Sequence, residues 1–231
     1  MRFVYSIKTQ HQPEPLVYKI ELDDNTLEMT SRPEEAEPEW THLEYMQCDH
    51  CPLSAQTHEF CPIALNIHHL INAFKNIQSI EKCEVTVFTE DRVYFKSTDI
   101  QSGLGSLFGL IMATSGCPTM NFLKPMARFH LPFSTLPETI FRSLGSYLIG
   151  EFINGRIKTD GLADGLVKRY TLINSLNGFM LKRIDHLLNQ KDSQDADQNA
   201  IVILDTLGSL FSMELDDNVS ILHNLYKDAQ K

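Results

Sequence analysis

Strand-forming residues are concentrated before residue 100, and from Pro137 onward the spacing is almost wholly helical. A chain whose period changes in this way builds its sheet early and covers it with helices, which is an α+β plan. Residues 3–7 and 16–22 are rich in β-formers and are separated by Gln12-Pro13-Glu14-Pro15. Together with the turn Asp23-Asp24-Asn25 and a short run at 27–30, they read as a β-meander. Residues 83–88 and 92–96 form a second strand pair around a Glu90-Asp91 turn. The expected sheet is small and mainly antiparallel.

Helix signals punctuate the rest. Pro62 suits a first helical position, where its missing N–H costs nothing, and Ile63, Ile67, Leu70, Ile71 and Phe74 follow at helical spacing. Thr98-Asp99 can cap a second helix over 100–114, with Gly116 as its stop. A third helix starts at Pro137 and ends before Gly155, and a long fourth spans 162–189. A polar linker at 190–198 precedes two closing helices, near 199–213 and 218–229. The organisation that follows is an α+β cysteine-containing domain at 1–135 and a helical region at 136–231, which packs with the first as one unit or stands beside it. The stripe Leu162, Leu166, Tyr170, Ile173, Leu176, Met180, Ile184 and Leu187 on the long helix reads as core. A homodimer seam through the C-terminal helices is its other use.

Composition narrows the function classes. A net charge of −10 and a pI near 5.3 argue against general nucleic-acid binding. Residues 1–60 hold 12 acidic and 4 basic side chains, densest at Glu34-Glu35-Ala36-Glu37-Pro38-Glu39, which reads first as a solvated loop. The segment MRFVYSIKTQ has no apolar core followed by a small-residue cleavage site, and no run of 18 apolar residues exists. A cytoplasmic protein without a membrane partner is the expectation. In a reducing compartment five cysteines serve as metal ligands, catalytic groups or core, not as a disulfide framework.

Four of those five lie in three Cys-Pro phrases: Cys48-Asp49-His50-Cys51-Pro52, Cys61-Pro62 and Gly116-Cys117-Pro118. The first two phrases give C-x2-C-x9-C. A C-x2-C turn aims two thiolates at one ion, and two further ligands complete a tetrahedron. Cys117 shares the Cys-Pro signature and is the preferred fourth ligand, with His58, His50 and Cys83 as the alternatives. Cys83 has the parity of Val85 and Val87 and reads as a buried core thiol. Zinc held by Cys48, Cys51, Cys61 and Cys117 would be a closed, structural site. Proline after a ligating cysteine is also a habit of iron–sulfur proteins, although neither common ferredoxin spacing matches. Dithiol exchange at Cys48–Cys51 is a further reading, weakened by Pro52 and by the lack of a βαβ context. A chain with no bound ion completes the set.

The segment 115–133 is longer than a connector needs. Lys124, Arg128 and His130 are candidates for a small anion pocket beside Cys117; alternatively, the two cations pair with surface acids and His130 makes a structural hydrogen bond. A catalytic Cys117–His130 pair would need thiolate and imidazole in contact. Gly103, Gly105 and Gly109 do not match a dinucleotide fingerprint and read as small residues for close helix packing. Hydrolase and P-loop patterns are absent. Whether the chain is an enzyme stays open. The phrases Cys-x-x-Cys-Pro-Leu, Cys-Pro-Ile-Ala and Ser-Gly-Cys-Pro resemble those of an uncharacterised bacterial protein family, over residues 40–150, and that resemblance implies no activity.

The expected function is therefore a metal-stabilised binding or regulatory protein, acting on an unknown protein or a small anionic ligand. A thiol- or iron–sulfur-dependent redox protein using the same cysteines is the alternative.

Overall fold

The computed structural model describes residues 1–189, apart from 11, 31–36, 75, 76, 79 and 157–163. The expected linker at 190–198 and the helices at 199–213 and 218–229 lie outside the described residues.

Four strands form one antiparallel sheet in the order β2–β1–β3–β4: β1 is Arg2–Thr9, β2 Leu16–Glu21, β3 Lys82–Phe88 and β4 Val93–Asp99. Alternation decides which face is buried. Phe3, Tyr5 and Ile7 of β1 point inward, as do Cys83, Val85 and Val87 of β3. Cys83 is thus the core thiol that its parity implied. Residues 27–30 do not add a third meander strand. A single bridge joins Leu22 to Met29, and Leu27 has a left-handed φ of 55°, which breaks the extended backbone.

Helices α1 (Pro62–Phe74) and α2 (Ile100–Thr114) carry the apolar faces that belong to this core. Asp99 caps α2 by accepting the Ser102 N–H at 3.0 Å. Gly103 lets α2 approach β3, since a Cβ there would lie 2.8 Å from Val85 Cγ2. Gly116, with φ 89°, turns the chain after the helix. The 115–133 segment is more regular than a loop. A 3-10 turn over Pro118–Leu123 runs into α3 (Lys124–Arg128), each with proline in its opening positions. Elements this short cannot display a helical period, which is why the pattern did not reveal them.

Helix α4 (Leu136–Ile153) starts with a capping box in which Thr135 and Glu138 exchange side-chain and backbone hydrogen bonds. Helix α5 (Asp164–Asn189) follows. Its stripe from Leu166 to Ile184 is buried in the same core as Phe3, Ile63 and Leu107. Among the described residues no helix is long and apolar enough to cross a membrane.

Candidate functional site

The cysteine loop is pinched at its base. His42 bridges Phe60, Leu43 N–H donates to Glu59 O at 2.8 Å, and Cys61 N–H donates to Thr41 O at 2.8 Å. Trp40, directly before the pinch, is buried and anchors it. Inside the loop Cys51 N–H donates to Cys48 O at 2.9 Å, closing the C-x2-C turn. Gln47 Nε2 donates to Leu53 O across that turn, and Met46 before it has a left-handed φ of 48°. Cys61 leads into α1. Cys117 stands after Gly116 at the head of the 3-10 turn, where Met120 N–H donates to the Cys117 carbonyl at 3.0 Å and the backbone N–H groups of Thr119 and Met120 favour its thiolate form.

These four thiols, 69 positions apart in sequence at the extremes, share one neighbourhood. Burial pushes the Cys48 thiol up to about 12, and the charges that Cys61, Cys51 and Cys117 would carry push the same way. Burial likewise takes Cys117 to about 11, with Cys61 and Cys51 adding to the rise. Cys83 is also raised to about 11, by burial and then by Asp99 and Glu81, so its surroundings are those of the sheet. The two histidine alternatives separate. His58 is exposed, and its Nδ1 lies 2.9 Å from the Thr57 hydroxyl, whereas Nε2 of His50 is buried without a hydrogen-bond partner. Among the described residues no group of three or more His, Cys, Asp or Glu side chains forms a ready cage for an ion. The thiols would have to turn toward a common point to act as ligands.

A cation that the sequence reading overlooked sits beside them. Arg183 of α5 is 1% exposed and acts in the electrostatic surroundings of Cys48 and Tyr45. Its Nη1 donates to the carbonyls of Trp40 and His42 at 2.9 and 2.8 Å, and its Nη2 to that of Leu43 at 2.9 Å. Its Nε has no hydrogen-bond partner, and no carboxylate among the described residues forms an ion pair with it. A buried guanidinium normally requires a counter-charge. The signal was in the sequence. Arg183 lies three positions after Met180 and one before Ile184, on the apolar stripe of its helix.

The three residues proposed for an anion pocket are not brought together. Lys124 pairs with Glu28 at 2.9 Å and Arg128 with Asp24 at 3.4 Å, both contacts tying the α3 region to the turn after β2. Surface pairs of this kind contribute little stability. His130 turns inward instead, with Nε2 2.5 Å from the Tyr5 hydroxyl, so it is not paired with Cys117. The Tyr5 hydroxyl also lies 2.9 Å from Ser106 Oγ, which accepts from Phe133 N–H at 3.4 Å. A consistent relay runs from Phe133 N–H through Ser106 and Tyr5 to His130 Nε2, leaving the ring proton on Nδ1. Burial, helped by Arg142, holds His130 down to about 3, so the imidazole is neutral near pH 7. Burial raises the Tyr5 phenol well above its usual range.

His130 lines a cavity of about 380 Å³ between α2, α3 and the start of α4. Small side chains on one face of α2, at Ser102, Ser106, Gly109 and Ala113, make the room. Arg142 of α4 reaches across and donates from Nη2 to the carbonyls of Met126 and Phe129, at 3.0 and 2.6 Å, covering the open end of α3.

A family model described as a domain of unknown function, DUF6901, matches residues 1–227. The chain belongs to this family. No curated protein and no solved structure matches it.

Proposed function

We propose that this protein is a metal-stabilised binding protein in which zinc, held by Cys48, Cys51, Cys61 and Cys117, clamps the 43–60 loop to the end of α2. The observation that carries the reading is that Cys48 lies within charge range of Cys51, Cys61, Cys117 and Arg183, a buried cation with no acid partner among the described residues. Zinc with four thiolates has a net double negative charge, and Arg183 is the counter-charge that such a centre requires. The backbone donors on Cys117 favour the thiolate in the same way. Four protein ligands leave no open coordination position, so the role of the ion is structural and the binding role belongs elsewhere in the fold.

The redox alternative has less support. No helix begins at Cys51, so the helix-terminus field that activates an exchanging C-x-x-C pair is lacking there. A homodimer would have to use another surface than the buried stripe of α5; Ile149, Phe152 and Ile153 at the end of α4 are exposed and apolar.

Elemental analysis of freshly purified protein, with a visible spectrum, tests the reading. One zinc per chain, lost in the Cys117→Ser variant, is the expected result. Broad visible absorption with bound iron would favour a cluster. No metal together with two rapidly titrating thiols would replace zinc with dithiol exchange.

A further inference from the structure

The cavity beneath α2 has a charge character opposite to that of the chain. The protein carries 30 acidic and 20 basic side chains, yet among the described residues Lys96 and Arg142 line the cavity and no carboxylate does. Lys96 lies opposite Val85 in the β3–β4 register, so the pleat turns it toward the helix-covered face. An inward lysine on an edge strand can also serve to discourage sheet extension. That role would not explain the second cation or the space between them.

Both cations keep free donors. Arg142 uses only Nη2 for the α3 carbonyls. The Lys96 ammonium lies 5.9 Å from the centre of the Phe133 ring and donates to no acceptor among the described residues. Glu138 is within charge range of both. Its own carboxylate is already engaged, 2.7 Å from the Thr135 N–H and 2.8 Å from the Thr135 hydroxyl. The remaining wall is mixed: Leu110, Leu123, Met126 and Leu131 give an apolar side, and Gln101, Ser102, Ser134 and Thr139 add polar groups. A Cβ placed on Gly109 would meet nothing within 4 Å, so this glycine opens the cavity instead of allowing helices to touch. Phe133 at its mouth holds a left-handed φ of 60°, costly for an aromatic residue and common at binding sites.

We propose that this cavity binds a monocarboxylate with an apolar body, its carboxylate on Arg142 and Lys96 and its body over Gly109 against the Leu110–Met126 wall. A guanidinium with open donors suits a carboxylate, and the volume suits a small organic acid. A phosphate ester or nucleotide would leave the Leu110, Leu123, Met126 and Leu131 side of the cavity against a polar body. The inference supplies the ligand class for the binding role proposed above, and it does not depend on an ion at the thiols.

Calorimetric titration of the full chain, at measured metal content, tests it with octanoate and 4-phenylbutyrate as probes and 1-octanol and 4-phenylbutan-1-ol as neutral controls. Expected is binding of at least one acid, with its alcohol weaker by about tenfold or more. Lys96→Gln, on an exposed strand, weakens the acid by about threefold to tenfold. Gly109→Leu fills the cavity and abolishes binding with no fall in melting midpoint and no change in metal content. Three results would each overturn the proposal: neither acid binding up to millimolar concentration, alcohols matching the acids, or Gly109→Leu retaining full affinity. Inorganic phosphate binding as tightly as the acids would also overturn it. Acid binding by metal-free protein would refute the zinc reading alone, and zinc-replete protein that ignores both acids would refute the cavity alone.

Discussion

Two regions of this molecule set an arginine on backbone carbonyls, and they use it differently. At the cysteine loop Arg183 is sealed in, with both terminal nitrogens spent on backbone carbonyls and four thiols close by. At the α2 cavity Arg142 spends one nitrogen on carbonyls and keeps the rest open toward empty space. A cation whose donors are fixed by the protein holds structure together. One with spare donors beside a cavity is available to a ligand. The first region should therefore respond to change through stability and the second through binding.

Cys48→Ser is the strongest challenge to that division. If the thiols are a structural clamp, it lowers the unfolding free energy by about 4 kcal/mol, since metal binding there is folding free energy. Denaturant unfolding with zinc retained in the buffer reads this, and an unchanged midpoint would remove the clamp. Arg183→Met comes next. It orphans the carbonyls of Trp40, His42 and Leu43 and should cost about 3 kcal/mol in the same experiment, together with weaker zinc retention against a chelator. Loss of stability without any change in zinc retention would detach Arg183 from the thiols.

Effects in the cavity region should be smaller. Unfolded histidine takes up a proton near pH 6.5, which folded His130 refuses until about pH 3, so His130 costs stability as pH falls through that window. Because the ring keeps some contact with the cavity, the expected loss at pH 5 is about 1 kcal/mol, and His130→Gln should flatten that acid limb. Tyr5→Phe leaves Ser106 and His130 without their shared hydroxyl and should cost about 1 kcal/mol. Gly109→Ala should raise stability by about 0.5–1 kcal/mol, because the new methyl meets nothing and alanine favours the helix. A destabilised Gly109→Ala would mean that the cavity is not open at this position.

Much of the fold was legible because its signals are local. The strand pairs, the Pro62 start of α1, the Asp99 cap, the Gly116 stop and the start of α4 near Pro137 can each be read within a few residues, and each recurs in the structure. The stretch 115–133 was not, because a 3-10 turn and a five-residue helix are too short to carry a period. In the thiol region the rarity of Cys-Pro singled out four residues that lie within charge range of one another, without forming a ready cage among the described residues. In the second region the reading chose Lys124 and Arg128 from their nearness in sequence to His130, and both are occupied by acids from the turn after β2. Their replacements, Lys96 and Arg142, come from β4 and α4, and no local pattern links those to His130.

The sequence alone determined the fold class and named four thiols as candidate metal ligands, because period, caps and thiol type act over short range. In it Gly103, Gly105 and Gly109 read alike, as small residues for close helix packing, which does not hold for Gly109. Only the tertiary structure decided that Gly103 brings α2 against Val85 while Gly109 faces open space. The same holds for the buried cation that lies by the thiols and for the two cations that face the cavity. Each of these depends on which distant surfaces meet, and that is settled by packing around the shared core.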